Sequence, residues 1–380
     1  MGGDKIEEKK AILVYSQYVV RTVDIFDLKI NSQKIQITKS KSTMSRVVAS
    51  PLQLLTLLLF SAHTAVGLNI CITGTSQGIG LDAAKRLIAQ GDHTVYHACR
   101  TAERAAVAVQ ESGGGVPLVC DLSDFDSIQK FAKQLDDKPL DVLCLNAGMA
   151  PSTKATAPQL TSDGLEECIG VNHLGHFLLA NLLKSKINRL VVTASSVHDP
   201  DSPGGAVGGK GGATLGDLSG LGYRLDGDPN GPTMVDGAIE YNGGKIYKDS
   251  KLCNVLFCRE AQKRWAGDGI AIRSFNPGFI PSSGLFRAPR QDNWLGATAF
   301  TFIAGLVGFA VPIQVGGERL AYMATASDDE VPSGSYFSAE VGSKAATNAD
   351  GFQQGDISKE GSDEALAASL WDLSAKIVGV

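Results

Sequence analysis

Residues 68–80 read LNICITGTSQGIG. Leu68 to Ile72 is a short apolar run with β-branched side chains, bounded by a turn, which predicts a buried strand. Thr73-Gly74-Thr75-Ser76-Gln77-Gly78-Ile79-Gly80 follows at once and opens into an amphipathic helical stretch to Gln90. Such a turn brings backbone N–H groups and a helix N-terminus close to a pyrophosphate, closer than a turn whose residues all carry Cβ. The glycine pattern alone is weak evidence; its place between a first strand and a first helix gives it weight. Gly74, Ser76, Gly78, Ile79 and Gly80 are therefore read as the cradle of a dinucleotide.

Outward from this turn, β-branched runs alternate with longer amphipathic stretches. Strands are expected at 93–98, 116–120, 140–145, 189–193 and 270–275, with helices at 101–111, 123–135, 164–185 and 251–265 and a further one at 317–326. That alternation calls for one α/β domain with a doubly wound parallel sheet of Rossmann type. The second strand ends in Arg100, where a guanidinium suits a 2′-phosphate better than a bare ribose hydroxyl, so NADPH is the expected cofactor. Asp121-Leu122 after the third strand stands where an adenine edge would lie, and Asn146-Ala147-Gly148 follows the fourth.

Tyr247 and Lys251, in the run YKDSK, are four residues apart and share one helix face. A phenol with an ordinary pKa near 10 is a poor acid–base group at neutral pH, and a nearby ammonium is expected to lower that value. Ser195, at the end of the fifth strand, can offer a hydroxyl to the reacting group, with Ser196 as fallback. Asn172 is expected to hold a water or orient Lys251. His173 and His176 lack a carboxylate or cysteine that would complete a metal set and are read as structural; no metal is expected. The turn Asn276-Pro277-Gly278-Phe279-Ile280 ends the sixth strand, and Pro277, Gly278, Ile280 and Ser282 are expected against the nicotinamide.

The chain has 380 residues, 43% hydrophobic and 20% charged, with a formal net charge of −5, so neither a disordered polyanion nor a polytopic membrane protein fits, and nothing draws it to nucleic acid. Residues 1–46 carry +4 and the remainder −9. Residues 1–66 are read as a leader with a signal-like core at 47–65, whose apolar run Leu52 to Phe60 is too short to span a bilayer. The seven cysteines show no CxxC spacing and read as free thiols in a reducing compartment, which suits import into a plastid. An endoplasmic-reticulum or membrane-associated location is the alternative. Fourteen of 43 glycines fall between Gly204 and Gly244, marking residues 200–245 as an insertion, expected to be a flexible lid or pocket wall. Residues 288–317 are expected to form an apolar lid for a water-poor substrate, with contact to a membrane surface. A homo-oligomer is compatible with the sequence.

Taken in order, TGTSQGIG, NAG, NHLGH, YKDSK and PG resemble the short-chain dehydrogenase/reductase family over about residues 68–340. Within it the chain resembles the light-dependent protochlorophyllide oxidoreductase branch at Ala98-Cys99-Arg100, TLGDLSGL (214–221), YKDSKLCN (247–254), GLFR (284–287) and the closing Leu370-Trp371. The resemblance implies NADPH, Tyr247 as proton donor supported by Lys251, and hydride delivery to a large conjugated molecule, protochlorophyllide-like, retinoid or carotenoid. Where those enzymes typically show tyrosine before the Pro-Gly and cysteine after it, this chain has Asn276 and Phe279. A retinol-dehydrogenase-like carbonyl reductase that works without light, or a non-catalytic NADPH-binding sensor or pigment carrier, are the alternatives.

Overall fold

A computed structural model describes residues 26–31, 34–39, 67–206, 212–286 and 309–380. The signal-like core at 47–65 and most of the apolar region 288–317 lie outside the described residues. In the N-terminal unit, Met1–Val66, an antiparallel hairpin joins β1 (Phe26–Asn31) to β2 (Lys34–Lys39), Phe26 opposite Lys39. The sequence reading held no strand there.

The second unit, Gly67–Val380, begins with β3 (Asn69–Thr73), α1 (Gly78–Ala89), β4 (Thr94–Cys99), α2 (Ala102–Ser112), β5 (Val116–Val119), α3 (Phe125–Gln134) and β6 (Val142–Leu145). A π-helical stretch, Gly170–Leu174, runs into α4 (Gly175–Leu183), followed by β7 (Arg189–Thr193), α5 (Gly243–Arg264) and β8 (Ala271–Phe275). The chain closes with α6 (Ile313–Thr325), β9 (Ser335–Ser338), β10 (Gln353–Gln354) and α7 (Glu364–Val378).

The eight strands β3 to β10 form one sheet in the order β10-β9-β8-β7-β6-β3-β4-β5, parallel except for the antiparallel β9–β10 pair. The order reverses between β3 and β6. In an open parallel sheet the crevice beyond the strand carboxyl ends at such a reversal is where ligands bind, and it is here that the glycine turn and Asn146-Ala147-Gly148 lie side by side.

Alternation along β3 feeds both layers. Ile70 and Ile72 pack with Leu87 of α1 and Leu320 of α6, while Cys71 faces the layer that holds Phe177, Phe257 and Trp371. Complete burial of each such side chain contributes roughly 1.5–3 kcal/mol. Phe177 and Phe257 pack on Trp371 at 4.8 and 5.7 Å, which pins α7 to α4 and α5.

Three expectations change. α5 starts at Gly243, eight residues before Lys251, because Asn242 caps it by accepting from Lys245 N at 3.0 Å, which offsets the poor helix propensity of Gly243-Gly244. β9, β10 and α7 were not read as elements. Among its described residues the glycine-rich insertion is packed rather than a flexible lid, with Ala213, Leu215, Leu218, Leu221, Met234 and Val235 buried in the core layer of Phe257, while Pro203, Gly204, Asn242 and Gly244 line a cavity as a pocket wall would. Charged side chains fasten it, Lys245 to Asp236 at 3.1 Å and Asp249 at 2.6 Å, with Glu360 accepting from Leu215 N at 2.6 Å.

Candidate active site

The glycine turn is held by tertiary bonds. Thr73 Oγ1 accepts from Asn146 N and Ala147 N, each at 2.9 Å, and Asn146 Nδ2 donates to Thr73 O at 3.0 Å. A Cβ on Gly80 would lie 2.6 Å from Gly74 O and 2.7 Å from Asn146 Nδ2, so only glycine lets the helix start pass this close to both motifs. Gln77 does not cap α1 with its side chain. The amides of the first turn are thus available to an anionic group, and the residues present fit a dinucleotide phosphate.

A cavity of about 1340 Å³ opens beyond this turn, lined by Gly78, Ile79, Gly80, Asn146 and Gly148 on one side and by Ser195, Tyr247, Lys251, Pro277, Gly278 and Ile280 on the other. Its walls are largely apolar, with Leu285, Phe279, Phe309, Val311 and Val341 contributing. The volume exceeds the ~300–1,000 Å³ of a pocket for one drug-sized ligand, leaving room for a second molecule beside a nicotinamide.

Tyr247 and Lys251 stand one turn apart on α5, the ammonium 5.8 Å from the centre of the phenol ring. Lys251 Nζ donates to Thr193 O at 3.0 Å and Asn254 Nδ2 to the same carbonyl at 3.3 Å, tying α5 to the end of β7. Burial lowers the lysine pKa to about 8. Burial also raises the Tyr247 phenol, Cys168 adds to this, and a hydrogen bond with Ser195 opposes it. The phenol is thus shifted up where a lowering by Lys251 was expected, because desolvation of a phenolate dominates. At neutral pH Tyr247 keeps its proton, which suits an acid rather than a base.

Ser195, not Ser196, is the hydroxyl at the phenol. Its extended backbone turns Oγ inward, where it also accepts from Val197 N at 3.4 Å. Asn172 does not bond to Lys251. Buried in the π-helical stretch, it accepts from Met149 N at 2.9 Å and donates to Met149 O at 2.9 Å and Ser250 Oγ at 3.0 Å, so it braces the segment after Gly148 against α5.

Other expected cofactor residues lie off the cavity. Gly74, Ser76, Arg100, Asp121, Leu122 and Ala147 are not among its lining residues. Arg100 is exposed at the end of β4 and Leu122 is buried in the core. Asp121 spends a carboxylate oxygen on its own turn, accepting from Ser123 Oγ at 2.7 Å. Ser282 is exposed and Ser283 lines the cavity instead. The sequence reading missed Thr73, Thr193, Asn254, His198 and Arg319. His198 follows Ser195 closely, with Nδ1 donating to Ser195 O at 2.6 Å while Nε2 accepts from Ser358 N at 3.2 Å. All seven cysteines are free and buried.

Comparison with known proteins places relatives beside this geometry. The family model described as short chain dehydrogenase matches residues 68–205. A protochlorophyllide reductase from Avena sativa is 38% identical over 327 residues, 82% of this chain and 99% of that protein. Protochlorophyllide reductase A, chloroplastic, from Oryza sativa subsp. japonica is 37% identical over 82% of this chain and 80% of its own length. Among solved structures, an uncharacterized protein from Mycobacterium paratuberculosis superposes with a TM-score of 0.58 at 26% identity, over 82% of this chain and 94% of that one. A 3-ketoacyl-(acyl-carrier-protein) reductase from Brucella melitensis, complexed with NADH, shares the fold with a TM-score of 0.51 at 16% identity, over 74% of this chain and 99% of that one.

Proposed function

Because the chain belongs to the short-chain dehydrogenase family of oxidoreductases, in the branch of the protochlorophyllide reductases, we propose that it reduces a large, apolar, conjugated molecule of protochlorophyllide type, using NADPH. The observation that carries this reading is the cavity: about 1340 Å³, apolar walls, and a proton-bearing phenol, an ammonium and a hydroxyl converging at one place on it. When bound, NADPH supplies a hydride. Gly78, Ile79 and Gly80 would hold its phosphates at the start of α1, Arg100 would take the 2′-phosphate, and Pro277, Gly278 and Ile280 would face the nicotinamide. Tyr247 holds a proton at Oη and would give it to the substrate atom that becomes basic on reduction. Ser195 positions that hydroxyl, and Lys251, fixed by Thr193 O, keeps a positive charge beside the phenol as it loses its proton. Asn172 positions the wall after Gly148.

The compartment we infer is a plastid. Support comes from the chloroplastic names of relatives and from seven unpaired thiols. Exposed Phe309 and Val341 on the cavity lining support entry of a water-poor substrate from a membrane surface.

A second reading rests on the Pro-Gly turn. Asn276 Oδ1 accepts from Gly278 N at 3.1 Å and Nδ2 donates to Ser338 Oγ at 3.3 Å, so this side chain locks the turn, and Phe279 lines the cavity. With neither phenol nor thiol at these two positions, reduction of an apolar carbonyl compound in the dark is the reading to set against the first. Protein, NADPH and protochlorophyllide are mixed and spectra recorded in darkness and after illumination. Product supports the first reading. No product in either condition, with turnover of a long-chain apolar aldehyde in the dark, replaces it by the second.

A further inference from the structure

Arg319 of α6 lines the same cavity as Tyr247 and Lys251 and is only 1% exposed. Its Nη1 donates to Pro277 O at 3.0 Å, Nη2 to Ser343 O at 2.9 Å and Nε to Ala345 O at 2.8 Å, and the guanidinium lies 5.1 Å from the ring centre of Phe352. All three acceptors are neutral carbonyls. Asp350 attracts it from beyond ion-pair distance, and burial brings its pKa down to about 10, so it stays charged at neutral pH. The guanidinium sits directly against the turn read as facing the nicotinamide. A Cβ on Gly278, whose φ is +91°, would lie 2.8 Å from Nη1.

Among the described lining residues, Arg319, Lys248 and Lys251 are buried and Lys245 is half-buried in ion pairs with Asp236 and Asp249, whereas Lys154, Glu340 and Asp356 are exposed and Asp199 is half-buried. Water and salt screen the exposed carboxylates, while buried charges act through a lower effective dielectric. The field of the described buried lining charges is therefore positive. A nicotinamide ring is uncharged when reduced and cationic when oxidised, so that field acts on one form only.

We propose that Arg319 is a specificity-determining residue that makes the site bind NADPH more tightly than NADP+. The proposal rests on the NADPH reading above. NADPH, NADP+ and 2′-phospho-ADP-ribose, which lacks the ring, are titrated against the full chain as wild type, Arg319→Lys and Arg319→Gln. Wild type is expected to favour NADPH over NADP+ by at least about threefold. Arg319→Lys keeps that preference, Arg319→Gln lowers it by at least about threefold, and the ringless ligand binds all three proteins alike. Equal wild-type affinities for the two cofactors overturn the proposal, as does an unchanged ratio in folded Arg319→Gln. Should circular dichroism show Arg319→Gln unfolded, Arg319→Lys decides, and loss of the preference with the charge retained overturns it. A wild type that binds neither NADPH nor 2′-phospho-ADP-ribose marks failure of the cofactor reading instead.

Discussion

The turn after β3 and the wall formed by the Pro-Gly loop with residues 335–356 meet across one cavity, yet they are held in place by different means. The first is short in sequence and braced by its neighbour strand, with Thr73 and Asn146 exchanging bonds at 2.9 and 3.0 Å. The second depends on side chains from distant elements, above all Arg319, which ties Pro277 to Ser343 and Ala345. Lessons follow for substitution. A cofactor cradle built from backbone tolerates few changes of size, whereas a wall built from long side chains can change its lining while keeping its frame. Asn276 and Phe279, both on the cavity lining, lie in that wall.

The sharpest way to separate chemistry from architecture is Tyr247→Phe, expected to lower kcat about 100- to 10,000-fold while NADPH affinity stays within about twofold. Parallel loss of affinity in a binding titration would move Tyr247 into the architecture. Leu215→Ala, in the packed insertion, is expected to cost about 2–5 kcal/mol in urea unfolding, because Leu215 is wholly buried in the core. A change near zero would return the insertion to a loose lid. On the cofactor side, Arg100→Ala is expected to weaken NADPH about tenfold or more and leave NADH unchanged, since a charge-assisted bond to the 2′-phosphate is lost. Equal effects on both cofactors would remove that role. The smallest effect is on pH dependence. Lys251 has a pKa lowered to about 8, so its ammonium is present below that pH and lost above it, and turnover is expected to fall as pH rises through about 8. Lys251→Arg, whose side chain does not titrate there, should abolish this fall; persistence of it would assign the titration to another group.

Much of the fold was legible because it is written in local periodicity. β7 was expected at its observed bounds, and each strand from β3 to β8 lies within a residue or two of its expected place. β9, β10 and α7 escaped because Ser335–Ser338 and Gln353–Gln354 are short, and α7 owes its place to Trp371 packing on Phe177 and Phe257 across long sequence distances. In the site, residues carried by spaced motifs were legible: Tyr247, Lys251, Ser195 and the glycine turn. Arg319 and His198 belong to no motif, and their partners lie far away in sequence at Pro277, Ala345 and Ser358. Of the two expectations for the glycine-rich insertion, the flexible lid failed for a related reason. Glycine count measures local freedom, while Leu215, Leu218 and Met234 gain their hold from the layer they enter.

By itself the sequence determined the βαβ alternation, the glycine turn at the start of α1 and the one-turn spacing of Tyr247 and Lys251. Each of these follows from short-range sterics and helical or strand period, which neighbouring residues set. Tertiary structure alone decided that burial raises the Tyr247 phenol, that Asn172 braces Met149 rather than Lys251, and that a buried guanidinium lies against the Pro-Gly turn. Desolvation and charge depend on everything packed around a group, and that environment comes into being only when distant segments meet.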